Sequence, residues 1–184
     1  FGMLSQAPLV TVAAIDGICV GGGAELACWC DRRIVSTNPK TQIGLPEVKL
    51  GLYPGWGGTV RAPRIVGLAN ALEMITTGEA IDAQAAIQMG LASDRVPPEN
   101  LLAAAIRLIR DEQATGRSLQ DRKRWNGPIF TEPTELGFLG ATARAVIQPG
   151  TKGNYPAPGA ALAIMLETCG PAARAALAQE AAVM

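Results

Sequence analysis

The chain has 184 residues, enough for one domain with a sizeable core, and 48% are hydrophobic against 17% charged, which excludes a disordered chain. Lys+Arg and Asp+Glu number 16 each, so there is neither a basic stripe for nucleic acid nor a cationic amphipathic segment for a membrane surface. Apolar runs are broken by Gly, Pro or charge well before spanning length, and the absence of histidine removes Ser–His chemistry at Ser5, Ser36, Ser93 or Ser118.

The first apolar run, residues 8–15, reads as a buried strand ended by Asp16-Gly17, and Ile18-Cys19-Val20 carries it to a triple glycine. Residues 24–30 are helix formers or small apolar groups, so the glycines mark a helix N-terminus. A second short strand is expected over residues 33–36, then a polar loop at 37–40. Residues 44–58 hold too many glycines and prolines for a regular element and form an irregular wall. Helical patterns follow at 59–66 and 69–77. Asp82 is a plausible N-cap for 83–89, with Gly90 as the stop. Residues 91–96 read as a short strand, and Leu101, Ala104, Ala105 and Leu108 define an amphipathic helix to about Arg110. Residues 113–158 are rich in turn formers and read as a connector. An Ala-rich helical stretch over 159–182 is interrupted at Gly170-Pro171. Strand–helix units with a helical end argue for an α/β fold.

Two local features carry chemistry. Gly21-Gly22-Gly23-Ala24-Glu25-Leu26 presents bare backbone N–H groups at the positive end of a helix. Glu25 and Glu47, the second within Gly44-Leu45-Pro46-Glu47, supply two carboxyls able to share proton transfer. Oxyanion donors plus an acid pair need neither metal nor histidine. Pro54-Gly55-Trp56-Gly57-Gly58 either walls an acyl pocket, with Trp56 against substrate, or turns the chain before a helix. Arg61 and Arg64, like Lys40 and Lys49, read as solvated side chains. Cys19, Cys28, Cys30 and Cys169 show no paired or metal-binding spacing and read as reduced, mostly buried thiols, which suits a cytoplasmic protein.

Taken in order, Ala14-Ile15-Asp16-Gly17, the triple-glycine segment through Ala27, Asp31, residues 44–52, Pro54-Gly55-Trp56-Gly57-Gly58-Thr59, Leu72-Glu73-Met74, Thr77-Gly78 and Gly90-Leu91 resemble the crotonase (enoyl-CoA hydratase/isomerase) superfamily. The resemblance covers roughly residues 6–110. It implies a crotonase-like spiral of ββα units with a C-terminal helical region, in which the N-terminal part of the fold is absent from this chain. The start at Phe1 fits a piece of something longer, and the expectation is that it folds poorly alone, because the strand at 8–15 lacks its neighbours.

By the same resemblance, Glu25 and Glu47 are the catalytic acids and the Gly22 N–H is an oxyanion donor, the other donor belonging to the missing N-terminal region. Gly21, Gly23, Pro46, Gly55 and Trp56 line the substrate site. The substrate is an acyl-CoA, hydrated at a 2-enoyl bond or isomerised, in fatty-acid β-oxidation. The loop at 37–41 and the segment Lys152-Gly153-Asn154-Tyr155-Pro156-Ala157 are similar to multifunctional fatty-acid oxidation enzymes, whose hydratase domain precedes a 3-hydroxyacyl-CoA dehydrogenase. Residues 1–112 would then be a partial hydratase domain and 113–184 a helical region and linker. Such a protein is an oligomer or joins a thiolase-type subunit. No cofactor is expected in this chain, since it has no GxGxxG fingerprint; NAD enters only if a dehydrogenase domain follows. Two other readings stand beside this one: a non-catalytic fragment acting as scaffold, and a thioester hydrolase of the same fold.

Overall fold

The computed structural model describes residues 1–129, 131–152 and 154–183; Gly153 of the connector segment lies outside the described residues. A short helix α1 (Gly2–Gln6) leads to β1 (Val12–Ile15) and β2 (Ile18–Val20). The strand expected over 8–15 is confined to its last four residues. Pro8 has no N–H for a ladder, and the Thr11 N–H goes instead to the Asp31 carboxylate at 2.8 Å. β1 and β2 are also not one strand, because Gly17 turns the chain at φ 89° and sends them to different sheets.

After the triple glycine come α2 (Gly22–Trp29), β3 (Arg32–Ser36) and β4 (Gln42–Gly44). A 3-10 turn, Pro46–Leu50, then opens the irregular stretch that ends at α3 (Gly58–Val66), followed by α4 (Leu68–Thr77). Next are β5 (Ile81–Asp82), α5 (Ala83–Gln88) and β6 (Asp94–Val96), with the Asp82 carboxylate capping α5 by accepting from the Ala85 N–H at 2.7 Å. One sheet is parallel, with β3 between β1 and β6. In the other, β4 pairs parallel with β2 and antiparallel with β5. Each sheet therefore takes one strand of the β1–β2 pair, which bends the chain toward the glycine turn.

The C-terminal half corrects the connector reading. After α6 (Leu101–Thr115), residues 117–151 are largely helical, as α7 (Arg117–Asn126) and α8 (Pro133–Thr151), and α9 (Ala157–Glu167) and α10 (Ala173–Val183) complete the chain. The turn formers sit at helix ends. Gly116 stops α6 at φ 66°, and Pro133 opens α8 at a position whose N–H has no helical partner to lose.

The main core gathers α2, α3, α4 and α9 around Ala24, Val35, Leu45, Ala71, Ile75, Leu162 and Met165. Because α7, α9 and α10 cover α3, Arg61 and Arg64 are not solvated, as their sequence suggested. Arg61 lies 4.8 Å from the Trp29 ring centroid and 5.2 Å from that of Trp125, and its guanidinium donates to the Cys28 carbonyl. Arg64 donates to the carbonyls of Val60, Gly127, Thr168 and Pro171. Carbonyl dipoles and aromatic faces offset the loss of hydration. Among the cysteines, Cys28 and Cys169 are buried and Cys19 and Cys30 half-buried, all four as free thiols. Among the described residues, no helix is long and apolar enough to cross a membrane.

Candidate active site

A cavity of about 570 Å³ is lined by the start of α2, the 3-10 turn, the loop before α3 and the start of α9. Of the residues expected at the site, Gly21, Gly22, Glu25, Pro46, Glu47, Gly55 and Trp56 all line it. Gly23 does not: it is exposed on the outer side of α2, near Cys19. The wall also holds Leu52, Tyr53, Ala157 and Ala160, which sequence reasoning did not single out. Ala157 falls in the segment read as a connector and Ala160 in the helix expected from 159, and neither carried a mark that assigned it to the site.

Parallel pairing of β2 with β4 places the glycine turn beside the Pro46–Leu50 turn. The Gly21 N–H donates to the Gly44 carbonyl at 3.0 Å, and a Cβ at Gly21 would lie 3.4 Å from Glu47 Oε1. Gly22 opens α2, and among the described residues no protein group accepts from its N–H. The Trp56 ring covers it so closely that a Cβ there would meet Trp56 Cζ3 at 2.5 Å. Trp56 is itself 61% exposed and packs edge-to-face on Phe1.

Glu25 is 3% exposed, one turn into α2. Its Oε1 accepts from the Trp56 N–H at 2.8 Å and the Gly58 N–H at 2.9 Å. Burial raises its pKa above the usual carboxylate range, while these two backbone donors pull the other way. Glu47 is half-buried, and its Oε2 is buried without a protein hydrogen-bond partner. Burial raises this pKa too; its own backbone N–H opposes the rise, and the Glu25 charge adds to it. The two acids are thus electrostatically coupled but differently solvated by protein. One has donors aimed at an anion, and the other keeps a buried oxygen without a donor.

The loop that supplies the donors admits only glycine at two places. Gly57 has φ 101°, and a Cβ on it would lie 2.7 Å from Trp29 Cζ2. A Cβ on Gly58 would lie 2.6 Å from Pro54 Cβ and 2.9 Å from Glu25 Oε1. The Trp29 indole N–H donates to the Trp56 carbonyl at 2.8 Å, tying the far end of α2 to the same loop. A third acid, Glu180 on α10, reaches the loop from the opposite side, with Oε1 accepting from the Gly57 N–H at 2.8 Å. Sequence reasoning missed it, although a signal exists. Positions 173, 176, 177 and 180 form the buried stripe of α10, and an acid on an apolar stripe asks for a partner.

Comparison with known proteins identifies the family. Residues 1–119 match the enoyl-CoA hydratase/isomerase family. Among solved structures, enoyl-CoA hydratase from Bacillus anthracis is 33% identical with a TM-score of 0.59, over 83% of this chain and 55% of that one. A monofunctional enoyl-CoA isomerase from M. smegmatis is 30% identical with a TM-score of 0.57, over 66% of this chain and 58% of that one. An enoyl-CoA hydratase from Geobacillus kaustophilus is 29% identical with a TM-score of 0.53, over 93% and 63% respectively. The match therefore spans little more than half the length of these relatives. The fold is a mixed α/β crotonase fold, and the chain belongs to the enoyl-CoA hydratase/isomerase (crotonase) family.

Proposed function

We propose that this chain carries the acid pair of a 2-enoyl-CoA hydratase with Δ-isomerase capability. The observation that carries the reading is the asymmetry between Glu25 and Glu47 on one cavity wall. Two N–H donors on one Glu25 oxygen offset part of the burial that raises its pKa and stabilise its anion, suiting it to take a proton from water. The buried, unpartnered Glu47 oxygen favours the protonated form, suiting it to deliver a proton to carbon.

In the forward direction a water oxygen bonds to the β-carbon as Glu25 takes its proton. The π electrons move onto the thioester oxygen as an enolate, which the Gly22 N–H and the α2 dipole stabilise. Collapse of the enolate takes the Glu47 proton at the α-carbon, giving the 3-hydroxyacyl thioester. Each oxyanion donor contributes about 2.7–4 kcal/mol in sites of this kind, and general acid–base assistance about 10²–10⁴ in rate. With Glu47 moving a proton between carbons and no water added, the same site shifts a double bond.

The substrate class is an acyl-CoA of fatty-acid β-oxidation. The wider context proposed is a cytoplasmic, multifunctional fatty-acid oxidation enzyme. Its hydratase part is 1–112 and its helical region and linker 113–184, leading to a dehydrogenase that would bring NAD; a thiolase-type subunit would be its partner. The support is the loop at 37–41 and the segment at 152–157. The loop is a compact turn, with Thr41 buried and bonded to Ser36 and to the Gly17 N–H. Hydration of crotonyl-CoA, followed through loss of the conjugated thioester absorbance, tests the core reading. Turnover by a folded sample supports it; a well-folded sample with no turnover refutes it for this chain.

A further inference from the structure

The residues around Glu25 are held by a group outside the stretch matched to the family. Three successive amides of the loop point alternately to two carboxylates: Trp56 and Gly58 to Glu25, and Gly57, between them, to Glu180. The second Glu180 oxygen takes the Thr59 hydroxyl. Gly57 is the N-cap of α3, and the α10 carboxylate takes its N–H, the donor that an acid at the third helical position takes in a capping box. The Tyr53 hydroxyl, from the cavity wall, donates to the Glu180 carbonyl at 3.4 Å.

We propose that Glu180 is a positioning residue for Glu25: by fixing Gly57 and Thr59 from the α10 side, it turns the Trp56 and Gly58 amides onto a single Glu25 oxygen. The Trp29 indole holds the Trp56 carbonyl and the Val60 and Arg61 amides hold the Gly57 carbonyl, so Glu180 adds the tie on the N–H side of a stretch with glycine at 55, 57 and 58. Losing the Glu180 anchor on Gly57 and Thr59 loosens the stretch that carries the Trp56 and Gly58 amides. The titratable groups coupled to Glu180 are Glu25 on α2 and Tyr53 in the loop. Among the described residues, no cation on α3, α7 or α9 forms an ion pair with it, and Arg61 and Arg64 are engaged with backbone carbonyls. A change at residue 180 therefore reaches Glu25 through the loop.

The catalytic consequence rests on the hydratase reading, whereas the positioning does not, so the test carries both readouts. Amide exchange and the side-chain carboxyl resonance of Glu25 are followed by NMR in wild type, Glu180→Gln and Glu180→Leu. Glu180→Gln keeps an acceptor for Gly57 and is expected to leave Trp56 and Gly58 exchange and the Glu25 titration midpoint unchanged. Glu180→Leu is expected to speed exchange at those two amides about 10-fold, with α4 amides unaffected. It is also expected to lower kcat about 10²-fold at unchanged KM, with Gln restoring it. Wild-type exchange at Trp56 and Gly58 in Glu180→Leu overturns the proposal. If the Leu variant does not fold, Glu180→Ala takes its place, and wild-type exchange at Trp56 and Gly58 in that variant overturns the proposal. A wild type that hydrates no enoyl-CoA defeats the hydratase reading alone, since the exchange results still decide the positioning.

Discussion

Replacing Gly58 with alanine tests how tightly the loop before α3 is built around Glu25. In the first turn of a helix, Gly→Ala ordinarily stabilises by about 0.5–1 kcal/mol. Here the added Cβ would lie 2.6 Å from Pro54 Cβ, 2.9 Å from Glu25 Oε1 and 3.1 Å from Glu25 Cγ. Ordinary contact is close to 3.5–4 Å, so both neighbours must retreat by about 1 Å. The Gly58 and Trp56 N–H bonds to Glu25 stretch with them. Overpacking of this kind costs about 1–3 kcal/mol, which outweighs the propensity gain and leaves a net loss of about 1–2 kcal/mol. Controls are Gly137→Ala in α8 and Gly159→Ala in α9, both exposed with nothing within 4 Å of the added Cβ. Urea unfolding at constant m-value reads the difference. The expectation is a lowered midpoint for Gly58→Ala and raised midpoints for both controls. A Gly58→Ala midpoint that rises with the controls would refute the packing argument.

Stability should also depend on pH through the buried acids. Burial pushes Glu180 from the usual 4.5 up to about 7, so the folded chain binds a proton that the unfolded chain has released between those values. The associated stability is present in full below pH 4.5 and lost as pH rises to about 7, about 3 kcal/mol in total. Urea midpoints at pH 5 and pH 8 should differ in that direction, and by less in Glu180→Gln; equal midpoints in wild type would count against it. Asp31 works in the opposite sense. Burial alone would raise its pKa, but Arg122 and Thr11 hold it below the usual range, so its contribution is lost as pH falls. Arg122→Ala leaves Asp31, 2% exposed, without its ion-pair partner and should cost about 3–5 kcal/mol in thermal or urea unfolding; a loss under 1 kcal/mol would mean solvent reaches the carboxylate.

Much of the site was legible because its parts lie in short segments with strong local codes. The triple glycine announces the opening of α2, and Pro46 announces the 3-10 turn that carries Glu47. The parallel β2–β4 pairing that brings them together has no local signal. What escaped the sequence reading arrives from far along the chain. Ala157 and Ala160 reach the site only because α9 folds back over α3, a tertiary event with no local mark, and Glu180 arrives in the same way on α10, marked only as an acid on an apolar stripe. The same covering explains the misread arginines, since Arg61 and Arg64 sit on a helix that looks amphipathic in isolation yet is covered on nearly every side. The connector was misread because Gly and Pro signal helix ends as readily as loops, and only packing distinguishes the two.

The central claim is that Glu25 and Glu47 act as one proton-transfer unit, and a double-mutant cycle on crotonyl-CoA hydration tests it most directly. Glu25→Gln and Glu47→Gln are each expected to lower kcat about 10²–10⁴-fold, with the double variant no slower than the worse single one, since a unit once broken loses little more. Losses that multiply in the double variant, or either single variant retaining wild-type turnover, would contradict the account.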